Sequence, residues 1–185
     1  MQQLARFILK LTGWRIEGSL PELKRLILIS APHTSMWDFI WGFLFARTMG
    51  IKPYFLIKYK YFFWPLGPIL RALGAYPVYP NRDTRFYKQI VEQIKNSPSF
   101  YLIITPEGTR KAVKRWKTGF YKMSIDTETP LQAGAVDYKN RKLILGPVFY
   151  PTGNQEEDMR KIQGWYRAEW AKHPEKYIEH PPAGL

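Results

Sequence analysis

Residues 25–38 read Arg25-Leu26-Ile27-Leu28-Ile29-Ser30, then Ala31-Pro32, then His33-Thr34-Ser35-Met36-Trp37-Asp38. A short Leu-Ile run closed by a proline is the pattern of a buried strand. From Trp37 to Met49, residues Ile40, Phe43, Leu44 and Arg47 mark one face of a helix. A strand that feeds a helix through a tight turn is the repeating unit of an α/β sheet.

Further along the chain the unit recurs. Pro53–Ile57, Ala75–Tyr79 and Phe100–Ile104 are strand candidates, and Phe86, Ile90, Val91 and Ile94 space a helix that ends near Asn96 and Pro98. The aromatic tract Tyr59–Leu73 is broken by Pro65, Gly67 and Pro68 and holds short helical pieces. Lys111–Thr118 is a basic loop and Gly119–Ile125 a short helix. Leu131–Val136 and Arg141–Leu145 flank Asp137-Tyr138-Lys139-Asn140 and suggest a hairpin pair. Gln155–Lys172 is expected to be one last helix. Its start is acidic (Glu156, Glu157, Asp158) and its end basic (Arg167, Lys172), in accord with the helix dipole. Before the first strand, Leu4, Phe7, Ile8 and Leu11 repeat at helical spacing with Arg6 and Lys10 between them, and Gly13 can end the helix. Such a helix either caps the domain by packing or lies on lipid.

The expectation is a single α/β domain over 1–185. It has a mostly parallel central sheet, a late antiparallel pair, helices on the sheet's faces, an amphipathic N-terminal segment over 1–20 and a frayed tail over 180–185.

Composition narrows the partners. The chain has 185 residues and no cysteine, which excludes thiol catalysis, zinc-thiolate sites and disulfides. Its 28 Lys and Arg against 15 Asp and Glu give a formal charge of +13, so an anionic partner is expected. Aromatics make up 16%, and a basic, aromatic surface suits lipid headgroups and stacked bases alike. No stretch reaches the ~18 apolar residues of a membrane-spanning helix. The most apolar tract, Tyr61–Leu70, carries Pro65 and Pro68. The N-terminus has Arg6 and Lys10 among its apolar residues and no small-residue cleavage site, unlike a signal peptide. The expected place is the cytoplasm, at the inner face of a membrane.

Two motifs carry chemistry. Of three histidines, His173 and His180 lie in the polar C-terminal region and are expected to be solvated. His33 follows a buried strand, with Asp38 five residues on. On one α-helix or one strand that spacing points the two side chains apart. A turn entering a helix can bring them together, with Thr34 or Ser35 as cap. The carboxylate then accepts from one imidazole nitrogen and leaves the other basic, which makes a competent general base for a hydroxyl. Ser35-Met36-Trp37-Asp38 is equally an S-x-x-D capping box, and the two roles can coexist. Ser35 is the nearest alternative nucleophile. The second motif is Thr105-Pro106-Glu107-Gly108-Thr109-Arg110, directly after the Phe100–Ile104 strand. Both motifs fall just past the carboxyl ends of strands, where open α/β sheets bind ligands. Gly108 admits close backbone approach, and Arg110 can grip a phosphate with two parallel hydrogen bonds. The plain alternative is an ordinary turn with a solvated arginine.

His33-x4-Asp38, followed about seventy residues later by Pro106-Glu107-Gly108-Thr109-Arg110, resembles the glycerolipid acyltransferase family, whose best-known members are the 1-acylglycerol-3-phosphate acyltransferases. The resemblance covers roughly residues 27–151, and Gly146–Gly153 looks like a compact bacterial branch of that family. It implies that His33 deprotonates an acceptor hydroxyl, that Asp38 orients His33, and that Glu107, Gly108, Thr109 and Arg110 shape the glycerophosphate site. It implies an acyl thioester donor carried by CoA or by acyl carrier protein, a lysolipid acceptor, and no metal or cofactor. Two departures stand out. In Gly74-Ala75-Tyr76-Pro77-Val78-Tyr79-Pro80-Asn81-Arg82, a proline occupies the place of the family's phosphate-binding arginine. Either Arg82 or Arg85 reaches back, or the acceptor is another hydroxylated lipid, such as a lyso-ornithine lipid. In Thr129-Pro130-Leu131-Gln132-Ala133-Gly134, Ala133 replaces a second proline in a stretch thought to face the donor. Lys111, Lys114, Arg115 and Lys117 are candidates for CoA phosphates, an acidic carrier protein or anionic lipid heads. A non-enzymatic binder of anionic membrane or nucleic acid is the remaining reading, without a recognisable nucleic-acid motif to support it.

Overall fold

Burial on both faces explains why residues 26–29 are apolar throughout. A computed structural model of the chain describes residues 2–79 and 84–180. Its strands are β1 (Arg15–Glu17), β2 (Arg25–Ser30), β3 (Pro53–Lys58), β4 (Ala75–Val78), β5 (Phe100–Ile104), β6 (Leu131–Asp137) and β7 (Lys142–Phe149). Its helices are α1 (Gln2–Leu11), α2 (Trp37–Thr48), α3 (Leu66–Ala72), α4 (Thr84–Asn96), α5 (Gly119–Thr127) and α6 (Gln155–Gln163). The strands form one seven-stranded sheet in the order β1-β7-β6-β2-β5-β3-β4. Every pairing is parallel except β6 with β7, as the sequence led one to expect.

Successive side chains of β2 enter different cores. Ile27 and Ile29 pack with Ile90 and Ile94 of α4, Phe120 and Met123 of α5 and Ile162 of α6. Leu28 packs with Leu9 of α1, Phe45 and Ala46 of α2 and Leu70 of α3. Helices on both faces of a largely parallel sheet follow directly from that double burial.

This order also sets where chemistry can occur. Ile29 of β2 is level with Ile104 of β5, and Ser30 with Gly134 of β6, all running parallel. The carboxyl ends of three neighbouring strands therefore open on one edge of the sheet. The turn after β2 carries His33, the turn after β5 carries Glu107, and the turn after β6 carries Tyr138.

Three expectations need correction. The last helix stops at Gln163, with Gly164 as its C-cap, rather than running to Lys172. Beyond it the chain drops Tyr166 into the core, where it is fully buried and its hydroxyl donates to the Ile29 carbonyl at 2.8 Å. Only single 3₁₀ turns follow, at Ala168–Trp170 and Pro174–Lys176. His180 is also not free in solvent. Its ring meets the edge of Trp116 at 6.0 Å, and burial pushes its pKa down. Strand β7 runs on past Leu145 to Phe149, with a β-bulge in its pairing between Gln132 and Gly134. Strand β1 has three residues, too few for periodicity to announce it. Pro80, Arg82 and residues 181–185 of the expected frayed tail lie outside the described residues.

Candidate active site

The turn from β2 to α2 is held from both of its sides by carboxylates. Asp38, in the first turn of α2, reaches back under the loop. Its Oδ2 accepts the Thr34 and Ser35 backbone N–H groups, each at 2.9 Å, and lies 3.0 Å from His33 Nδ1. One oxygen atom thus serves two backbone N–H groups of the turn and lies within hydrogen-bond distance of the imidazole. Ser35 contributes its Oγ to the Trp37 N–H at 3.2 Å. A carboxylate at a helix N-terminus is also favoured by the helix dipole.

A carboxylate at that place can only accept, so this contact suits the neutral tautomer that carries its proton on Nδ1 and its lone pair on Nε2. The His33 side chain is 18% exposed, whereas that of Asp38 is 3% exposed. The ring is therefore anchored at its buried nitrogen and open at the edge of the sheet.

Glu107 grips the turn from the neighbouring strand end. Its two oxygens accept the His33 backbone N–H at 2.9 and 3.2 Å. It is buried, and its carboxyl is pushed up to about 8. Burial is the main cause, the charge of Asp38 adds to it, and the His33 N–H bond opposes it. Glu107 thus ties the second motif to the first through the main chain.

Around it, Gly108 sits at φ +62°, in the left-handed region. A Cβ there would lie 2.9 Å from Lys117 Cε and 3.0 Å from Lys117 Nζ. The Lys117 N–H donates to the Pro106 carbonyl at 2.8 Å, so the lysine folds over the Pro-Glu-Gly turn. Thr109 Oγ1 accepts the Lys111 N–H at 3.4 Å, and Arg110 is half-buried beside it. His33, Asp38, Glu107, Gly108 and Lys117 are thereby linked by direct contacts. Arg82 falls outside the described residues, and Arg85 stands in the first turn of α4.

Several assignments of surface and core were not legible beforehand. Trp116, inside the basic loop, is buried with its ring edge-on to Tyr166. On β3, Phe55 is core and Tyr54 stacks on Phe100, while Phe63 and Trp64 of the aromatic tract are exposed. On α1 the residues that pack are Ala5 and Leu9, and the apolar stripe Leu4, Phe7 and Leu11 faces outward. Met36, Trp37 and Ile40, at the start of α2, are exposed as well.

One residue of the site was missed altogether. Tyr138, read only as part of a hairpin turn, donates its hydroxyl to Asp38 Oδ1 at 2.6 Å. The sheet order brings it there, and no spacing in the sequence signals a contact across 100 positions. Among the described residues no group of three His, Asp or Glu side chains could hold a metal ion.

No curated protein matches the chain. Its fold is similar to that in the crystal structure of the 1-acyl-sn-glycerophosphate (LPA) acyltransferase PlsC from Thermotoga maritima. The TM-score is 0.59 and the identity 21%, with 86% of this chain and 72% of that chain covered. The likeness is one of fold. The sequence profile described as Acyltransferase matches residues 14–137, a span that runs from Trp14 through both motifs to the end of β6, and on that match the chain belongs to the acyltransferase family.

Proposed function

We propose that the protein transfers a fatty acyl group from an acyl thioester, carried by CoA or by acyl carrier protein, to the hydroxyl of a lysophospholipid such as lysophosphatidate. The observation that carries this reading is the His33–Asp38 pair, with the ring's free edge at the carboxyl end of the sheet beside the Pro106–Arg110 turn. His33 Nε2 takes the proton of the acceptor hydroxyl as that oxygen attacks the thioester carbonyl. The tetrahedral intermediate collapses by breaking the C–S bond, and the imidazolium returns its proton to the departing thiolate. An ester and a free thiol result, and a positioned base contributes roughly 10²–10⁴-fold to such a step. Arg110 and Lys117 supply cations for the acceptor phosphate, with Gly108 and Thr109 shaping the turn beneath it. Arg82 is the remaining candidate for that phosphate. Pro80, at the place of the family's arginine, favours a second reading in which the acceptor is another hydroxylated lipid such as a lyso-ornithine lipid.

The enzyme works as a peripheral protein on the cytoplasmic face of an anionic membrane. Leu4, Phe7 and Leu11 of α1 and Met36, Trp37 and Ile40 beside the catalytic turn are exposed, and α1 packs on α2. The charge of +13 adds attraction to anionic headgroups. No helix among the described residues is long and apolar enough to cross a membrane.

The test is an acyl-transfer assay pairing CoA and carrier-protein thioesters with a panel of lysolipids. His33→Ala is expected to lose at least ~10²-fold in turnover while keeping the circular-dichroism spectrum of the parent. Near-parental turnover in that variant would remove the mechanism. Activity confined to lysophosphatidate would remove the second acceptor.

A further inference from the structure

Asp38 is 4% exposed and receives more donors than a helix cap needs. Its Oδ2 serves His33 Nδ1 and two backbone N–H groups, and its Oδ1 is left for the hydroxyl of Tyr138 at 2.6 Å. Such a short O–H···O contact to a carboxylate is of the charge-assisted kind. Burial and the charge of Asp38 push the phenol's pKa up, so the hydroxyl keeps its proton and acts as a donor.

The phenol is held in place independently of Asp38. It belongs to the β6–β7 turn, which Asp137 closes by accepting the Asn140 N–H at 3.1 Å and Nδ2 at 2.8 Å. The Tyr138 N–H donates to the Trp170 carbonyl at 2.9 Å. Its ring stands edge-on to Trp14, with centroids 5.4 Å apart, and Trp14 stacks on Trp41 of α2 at 4.4 Å. Lys172 Nζ lies 5.4 Å above the Trp37 ring and 5.9 Å from that of Tyr138, covering the same turn. The C-terminal segment beyond α6 therefore braces both Tyr138 and the catalytic turn. His173 completes the brace by donating its N–H to Thr34 Oγ1 at 3.2 Å. Tyr138 and this brace lie outside the span that the family profile matches.

We propose that Tyr138 is a positioning residue of the transfer reaction: its hydroxyl fixes the rotation of the Asp38 carboxylate, and so the tautomer and direction of the His33 ring. The proposal rests on the function assigned to His33 above. Without the phenol, Oδ1 loses its donor, the carboxylate can turn about its Cβ–Cγ bond, and Oδ2 is shared less strictly between the ring and the two N–H groups.

The test uses Tyr138→Phe, which keeps the ring between Trp14 and Lys172. Nitrogen-15 spectra of the imidazoles are simple with three histidines in the chain, and His33→Gln assigns the signal. The parent is expected to show His33 as one tautomer, protonated on Nδ1, and Tyr138→Phe a mixture. In the transfer assay kcat is expected to fall roughly tenfold, the scale of one hydrogen bond to a charged group, with KM unchanged. If either the tautomer or kcat stays at the parent's value, the proposal is overturned. A fall in kcat with the tautomer intact makes the effect merely structural. Failure of the proposed function would look different: His33→Ala would stay active whatever Tyr138→Phe did. The tautomer measurement needs no substrate.

Discussion

Asp38 and Glu107 are equally buried, at 4% and 5% exposure, and both hold the six-residue link between β2 and α2. Their surroundings differ in donors. Asp38 accepts from an imidazole, two backbone N–H groups and a phenol. Glu107 has one backbone N–H shared between its oxygens, and burial lifts its carboxyl to about 8. Burial alone therefore does not give a carboxylate its task. The donors do: Asp38 is surrounded by an imidazole, two N–H groups and a phenol, while Glu107 is a staple between two strand ends that takes up a proton near neutrality.

The sharpest way to break this contrast is Asp38→Asn. An amide can accept at one atom only, so the four neighbouring donors compete for it and the ring's hold is weakened. Turnover is expected to fall by roughly a hundredfold or more, with KM little changed, in a protein that still folds. A variant within a few-fold of the parent would mean that Asp38 is a helix cap and nothing else.

Glu107→Ala tests the staple. It leaves the His33 N–H buried without its acceptor, at a cost of about 1–3 kcal/mol in unfolding free energy. Its effect on turnover is expected to be smaller than that of Asp38→Asn, because the imidazole–carboxylate pair survives. Urea midpoints and kcat, measured on both variants, rank the two effects. The reverse ranking would exchange the roles assigned to the carboxylates.

The pH dependence of stability separates them further. Glu107 titrates near its ordinary 4.5 when unfolded and near 8 when folded. Below 4.5 both states are protonated and its contribution to stability is fully present. Between the two values only the folded protein holds the proton, so stability falls as pH rises, and the contribution is lost above about 8. Glu107→Gln keeps an acceptor for the His33 N–H but does not titrate. Its stability relative to the parent is therefore expected to rise steadily from pH 5 to pH 8. A flat difference across that range would show that burial does not raise this carboxyl.

What the sequence disclosed follows the same physics. β2, β5 and the helix after Trp37 were readable because burial on both faces writes continuous apolar runs and helical spacing into a single segment. His33 and Asp38 were readable because five positions separate them and a turn is the one local geometry that joins them. Tyr138 was not readable: its part depends on β6 lying beside β2, a fact of sheet order. The orientation of α1 was hidden for a related reason. Its apolar stripe leaves packing and lipid contact both open, and only the fold shows that Ala5 and Leu9 are buried while Leu4, Phe7 and Leu11 point outward. The end of α6 at Gly164 was masked by a charge pattern that fits a longer helix equally well, and only the burial of Tyr166 reveals why the chain turns there.

The smallest effect is expected from Ser35, which sits between His33 and Asp38 in sequence and could be mistaken for a nucleophile. Its backbone N–H serves Asp38, and its hydroxyl serves the Trp37 N–H at 3.2 Å. That oxygen is occupied at the helix start and makes no hydrogen bond to the His33 ring, whose Nδ1 faces Asp38. Ser35→Ala removes only the cap-like bond, a loss of about 0.5–1 kcal/mol, and leaves the carboxylate and the ring where they are. Turnover is expected to stay close to the parent's, with a small drop in the urea midpoint. Loss of transfer together with an acyl group trapped on the parent protein, and absent from Ser35→Ala, would instead make the serine the attacking atom and reduce the His33–Asp38 pair to its activator.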